Sequence, residues 1–133
     1  MTLYVDSSAL MKRYVDEHDS EAAIGLMASD PVLVTSRLTE VEVRRNLTRL
    51  LDGDPLESTR RQLGDDLDVF ALMSLDAVVC NEAARIAEQT LCRSLDALHL
   101  ASALRAGAGT TVLTFDRRRA QVARAVGLSV VGA

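Results

Sequence analysis

The chain has 133 residues, 48% of them hydrophobic and 26% charged, with two prolines and a net charge of −4. That length accommodates one domain over 1–133, and the composition excludes a disordered chain. Only 3% of the residues are aromatic, which argues against a base-stacking platform, and the acidic balance argues against indiscriminate adhesion to nucleic acid.

Leu3 to Val5 form a short apolar run that ends at Asp6-Ser7-Ser8, after which Leu10, Met11 and Tyr14 recur at helical spacing. This reads as strand, turn, helix. A second helix fits Ser20 to Ala28, with Ala23, Ile24 and Met27 as its apolar positions and Asp30-Pro31 as its stop. Val32-Leu33-Val34 is a second strand. The helix that starts at Thr35-Ser36 and runs to about Asp52 carries the stripe Val43, Leu47, Leu50 and Leu51. Asp52-Gly53-Asp54-Pro55 is a turn signal, followed by a helix from Leu56 to about Asp68 with a weak apolar face around Leu63 and Leu67.

Phe70 to Leu75 reads as strand three, and Asp76 to Leu91 as a helix with Val79, Ala83, Ile86 and Ala87 inward. Ser94 caps the next helix, which carries Leu95, Leu98, Ala101 and Leu104 and ends at Gly107-Ala108-Gly109. Val112-Leu113 makes strand four, Asp116 to Val126 a last helix, and Leu128 to Val131 strand five. Strands alternating with helices imply parallel pairing, hence a three-layer α/β/α sandwich around one parallel, Rossmann-like sheet.

Several chemistries drop out. No apolar run approaches the roughly 18 residues of a membrane span, and Asp6, Lys12 and Arg13 interrupt any signal-peptide core, so a cytoplasmic protein is expected. Cys80 and Cys92 fall in the same expected helix, about 18 Å apart at 1.5 Å per residue, and read as reduced, buried thiols. With those cysteines and only His18 and His99, a zinc site lacks ligands. Gly107-x-Gly109 lacks a third glycine and precedes a strand, against a dinucleotide loop. Lys12 is the one lysine; arginines cluster at Arg44, Arg45 and Arg49, at Arg60 and Arg61, and at Arg117, Arg118 and Arg119. Such clusters suit bidentate phosphate contact or a solvated face.

In an open parallel sheet, ligands bind beyond the carboxyl ends of the strands. Acids recur there: Asp6 after strand one, Asp116 after strand four, Asp96 opening a helix, and Glu40 or Glu42 near the start of the helix after strand two. Asp6 and Asp116 also fit plain helix N-caps, and Asp96 fits a helix dipole. Four acids at one edge would repel one another and raise some of their pKa values unless a cation sat among them. Mg²⁺ or Mn²⁺ is the hard ion such oxygens favour, commonly for work on phosphates. Helical periodicity places Glu40 nearer the apolar stripe than Glu42. His99 admits two readings, a base or phosphate-orienting group and a packed core residue.

Tyr4-Val5-Asp6-Ser7-Ser8-Ala9-Leu10, Ser36 to Val43 ending Val41-Glu42-Val43, Leu95 to Ala101, and Leu113-Thr114-Phe115-Asp116 occur in an order that resembles the PIN-domain ribonucleases, and among them the VapC toxins of bacterial toxin-antitoxin pairs. The resemblance runs from Leu3 to Val131 and includes the Gly127-Leu128 step into the last strand. It implies a Mg²⁺- or Mn²⁺-dependent endoribonuclease, usually dimeric, held inactive by a VapB-like antitoxin and leaving 5′-phosphate and 3′-hydroxyl ends. It implies Asp6 and Asp96 as main metal ligands, Glu42 completing the site, and Asp116 for a second ion. Ser7 and Thr114 match supporting hydroxyls. The family's spacing selects Glu42 over Glu40. Arg45, Asn46 and Arg49, one and two turns beyond Glu42, are candidates for RNA phosphate contact. Asp6→Asn or Asp96→Asn is expected to abolish cleavage and, by relieving repulsion, to leave the fold intact or more stable. The alternative is a catalytically silent module of the same fold that binds RNA or protein. A receiver-like phosphoacceptor fits less well, since two serines follow Asp6 and the lysine is at position 12.

Overall fold

The computed structural model describes residues 1–29 and 32–133. Five strands, β1 (Thr2–Val5), β2 (Val32–Ser36), β3 (Ala71–Met73), β4 (Thr110–Thr114) and β5 (Ser129–Gly132), form one parallel sheet in the order β3-β2-β1-β4-β5. Thr2 pairs with Val32 on one side of β1 and with Thr110 on the other, so the central strand is the one where the order reverses.

Helices cover both faces. On one lie α1 (Ser7–Leu10) with a 3₁₀ turn over Met11–Arg13, α2 (Ser20–Ser29), α3 (Arg37–Leu50) and α4 (Gly53–Val69), packed through Ala9, Leu10, Ala23, Met27, Val43, Leu47, Leu63 and Leu67 onto Leu3, Val5 and Leu113. On the other, α5 (Ala77–Thr90), α6 (Ser94–Arg105) and α7 (Arg117–Ala125) bring Val79, Ala83, Ile86, Leu100, Ala101 and Ala123 against Tyr4, Val34 and Val112. Leu3 and Val5 face one layer and Tyr4 the other, the period of two that a strand imposes. The three-layer sandwich read from the alternation of elements is the observed fold.

Local differences have physical reasons. The predicted turn at residues 52–55 is instead the start of α4: Asp52 is its N-cap, and Pro55 sits in the first turn, where backbone N–H groups have no helical partner to lose. Ser94 is the first residue of α6 and not its cap, a position held by Arg93. Thr35 and Ser36 belong to β2, with α3 starting one residue later. Leu91 ends α5 in the left-handed conformation at φ 56°, so Cys92 lies beyond the helix; Cys80 is exposed and Cys92 half-buried, both free thiols, correcting the buried pair expected on one helix. Ile24, Leu50 and Leu95 are exposed where the sequence placed them inward. Ile24 stands one 100° step off the Ala23–Met27 stripe, Leu50 is the last residue of α3 and Leu95 lies in the first turn of α6. The expected stop at Asp30-Pro31 lies outside the described residues. Among the described residues no helix is long and apolar enough to cross a membrane.

At the far end of the sheet, Gly132 pairs with Thr114 at φ +103°, and a side chain there would collide with the Thr114 carbonyl oxygen. Glycine thus allows β5 to close on β4 just where the strand delivers Thr114.

Candidate active site

The carboxyl ends of β1 and β4 adjoin at the point of strand-order reversal, where a crevice opens in sheets of this topology. Asp6, first residue after β1, is wholly buried. Its Oδ1 accepts from the Ala9 backbone N–H at 2.9 Å, capping α1, and from the Ser8 hydroxyl at 2.7 Å. Its Oδ2 accepts from the Thr114 hydroxyl at 2.5 Å and from Arg119 Nη1 at 2.6 Å. Ser8 Oγ in turn accepts from the Phe115 N–H, and Thr114 Oγ1 from the Asp116 N–H, so the two strand ends are laced together around one carboxylate.

Asp96, in the first turn of α6 and 2% exposed, lies across from it. Its Oδ1 accepts from Arg119 Nε at 3.0 Å and its Oδ2 from Arg93 Nε at 3.0 Å. Asp116 caps α7 through the Arg119 N–H, and its Oδ2 meets Arg93 Nη2 at 3.3 Å. Asp6 and Asp116 are therefore both helix caps and members of the acid group; the two readings coexist in the same side chains.

Glu42 reaches the same place from α3. His99, fully buried on α6, holds it with Nε2 at 2.5 Å from Oε1, while His99 Nδ1 lies 2.9 Å from the Tyr4 hydroxyl. Tyr4 also donates its proton to Ser36 Oγ at 2.8 Å, which ties the His99 contact to the end of β2. Glu40, the alternative offered by periodicity, points elsewhere: it pairs with Arg37 at 3.2 Å on the exposed flank of α3. Ser7, Ser8, Glu42, Asn46, Arg93, Asp96, Asp116 and Arg119 line one cleft. Arg45 and Arg49 are exposed on α3; Arg45 bonds the Asn46 side chain, and Arg49 borders an adjoining cleft with Ser8, Lys12 and Phe115.

The electrostatics run opposite to the expected mutual repulsion. Burial alone would raise the Glu42 pKa, but the hydrogen bond and charge of His99, the Ser7 hydroxyl and Arg119 outweigh it and hold the carboxyl below its usual range. Asp116 is likewise held low: burial is outweighed by the Arg119 N–H and the charges of Arg119 and Arg93. Burial drives the Tyr4 phenol upward, so it stays a donor throughout the ordinary pH range. The acids are compensated in place by guanidinium groups.

The sequence reading missed Arg119, Arg93 and Ser8. Arg119 belongs to the cluster that suits phosphate contact or a solvated face, yet it lies four residues before the buried Ala123, on the inward side of α7, and that offset is the signal that marks it. The donor set suits a hard divalent ion, since the group presents four carboxylates and Asp6 and Asp96 turn one oxygen each toward a shared positive group. Among the described residues no three acids, imidazoles or thiols stand together as an ion-binding cluster, and Arg119 spans the gap between Asp6 and Asp96.

The sequence profile of the PIN domain matches residues 3–125. The chain belongs to the PIN domain family. Ribonuclease VapC35 of Mycobacterium tuberculosis is 37% identical to this PIN chain over 134 residues, covering 97% of it and 95% of the relative. FitAcB of Neisseria gonorrhoeae has the same PIN fold with a TM-score of 0.79 and 19% identity, covering 98% of this chain and 96% of that one. A toxin-antitoxin complex from Klebsiella pneumoniae matches with a TM-score of 0.72 and 17% identity over 99% of this chain and 97% of its own.

Proposed function

We propose that this PIN protein is a divalent-metal-dependent endoribonuclease that serves as the toxin of a toxin-antitoxin pair. One observation carries the reading: Asp6 and Asp96, from the ends of different elements, turn a carboxylate oxygen each toward a single cation at the switch point of the sheet. On this reading Asp6, Asp96 and Glu42 hold Mg²⁺ or Mn²⁺ and Asp116 a second ion. Such an ion, when bound, neutralises phosphate oxygens and acidifies water for in-line attack on phosphorus.

The chain's own groups supply the rest. Thr114, Ser8 and the Ala9 N–H fix the Asp6 carboxylate, and the Tyr4–His99 pair fixes Glu42, so both acids are oriented before substrate arrives. Arg93 and Asn46 line the cleft as donors for backbone phosphate, with Arg45 and Arg49 continuing a basic approach along α3. No side-chain nucleophile is required. The relative's name as a ribonuclease and the likeness to a toxin-antitoxin complex support RNA as substrate and a VapB-like antitoxin as partner. The same reading makes the protein a single-domain, cytoplasmic homodimer.

The test is cleavage of total cellular RNA by purified, antitoxin-free protein in Mg²⁺ or Mn²⁺, in EDTA, and with Asp96→Asn in parallel. Cutting that requires the ion and fails in the variant supports the proposal. No cutting by folded protein would favour the silent binding module.

A further inference from the structure

The Asp6–Arg119–Asp96 bridge goes beyond that assignment while resting on its metal reading. Asp6 has four hydrogen-bond donors on two oxygens: the Ser8 hydroxyl and Ala9 N–H on Oδ1, the Thr114 hydroxyl and Arg119 on Oδ2. An ion ligated by Asp6 needs one of those positions. The Ala9 N–H is the helix donor that Asp6 caps, and the two hydroxyls are tied to the Phe115 and Asp116 backbone. Arg119 is the donor that can leave, because its guanidinium sits at the end of a flexible stem and borders the cleft through which an ion would enter. It is also the donor that must leave, since it occupies the facing oxygens of both main ligands and carries the same sign of charge as the ion.

We infer that Arg119 is a resident counter-cation: it holds Asp6 and Asp96 in ion-binding orientation, and a divalent ion binds only by displacing it. Arg119 is thus a positioning residue that sets how tightly this chain takes its metal. With only 6% of its side chain exposed, it compensates two buried acids that would otherwise destabilise the fold. The guanidinium and the ion are alternatives at one place.

Mn²⁺ binding, measured by calorimetry together with thermal melts, tests this in the wild type, Arg119→Gln, Arg119→Lys and the Asp96→Asn control. Arg119→Gln is expected to melt lower without metal, to bind Mn²⁺ at least about tenfold more tightly than wild type because the state with Arg119 released is only a minor population in the wild type, and to gain more melting temperature from it. Arg119→Lys, which keeps the charge but cannot bridge both acids, is expected between the two; it serves if the glutamine variant fails to fold. Equal Mn²⁺ affinity in the wild type and the variants, lost in Asp96→Asn, would overturn the inference and leave the metal reading standing, with Arg119 a plain strut. No Mn²⁺ binding by any form would overturn both.

Discussion

His99 Nε2 lies 2.5 Å from Glu42 Oε1, and the same ring meets the Tyr4 hydroxyl at 2.9 Å through Nδ1. With Tyr4 donating to Ser36, a line of hydrogen bonds runs from the end of β2 through the core to the cleft acid on α3. Of its two readings, a base or phosphate-orienting group and a packed core residue, His99 fits the second, fully buried and hydrogen-bonded, and from there it contacts the cleft acid Glu42. On the proposed function, His99→Leu should lower cleavage by about 10- to 100-fold, the usual cost of removing a group that orients a ligand. It should also cost about 1–3 kcal/mol, because the buried Tyr4 and the half-buried Glu42 lose a partner. Tyr4→Phe, which leaves His99 in contact with Glu42, should retain most activity. Parallel cleavage assays and melts of the two variants check the order.

The Asp6 carboxylate depends on neutral hydroxyls as well as on charge. Thr114→Val keeps shape but removes the donor to Oδ2, and Ser8→Ala removes the donor to Oδ1 and an acceptor for the Phe115 N–H. Each should destabilise by about 1–3 kcal/mol, measured by denaturant titration, and each should weaken metal-dependent cleavage.

Stability should fall in acid. Glu42 and Asp116 have folded pKa values below their unfolded ones, so their contribution is present above the unfolded values and is lost as pH drops through the folded ones. Melting temperature should be flat near neutrality and decline below about pH 5, as protonation of the unfolded carboxyls begins. Glu42→Gln should shallow that decline. Asp116, the more exposed of the two half-buried acids, makes the smaller share.

The expectation that Asp6→Asn or Asp96→Asn would stabilise the metal-free protein is reversed by the arginines. Each acid is one side of a buried ion pair with Arg119, so its loss leaves a guanidinium undercompensated. A drop of about 1–3 kcal/mol is expected in either variant, readable by chemical denaturation in EDTA.

The fold was legible because the strands are short apolar runs set between longer helical periods, and that alternation leaves few topologies. What failed was local. Pro55 looked like a breaker because its place within the first turn depends on where the helix begins, and Cys92 looked helical because nothing announces a leucine taking the left-handed conformation at Leu91. Asp6 and Asp116 are legible as acids after strand ends and Asp96 as an acid opening a helix, whereas Glu42 is selected over Glu40 only by the family resemblance. The compensation of these acids is not legible, since Arg93 and Arg119 reach them from separate helices and only the folded chain places a guanidinium among carboxylates.

The chemistry of the cut ends tests the central claim most directly. RNA cleaved by the wild-type protein in Mg²⁺ or Mn²⁺ should carry 5′-phosphate and 3′-hydroxyl termini, with no cleavage by Asp6→Asn or in EDTA. Termini bearing a 2′,3′-cyclic phosphate, or cutting that persists in EDTA, would contradict hydrolysis at this acid cluster.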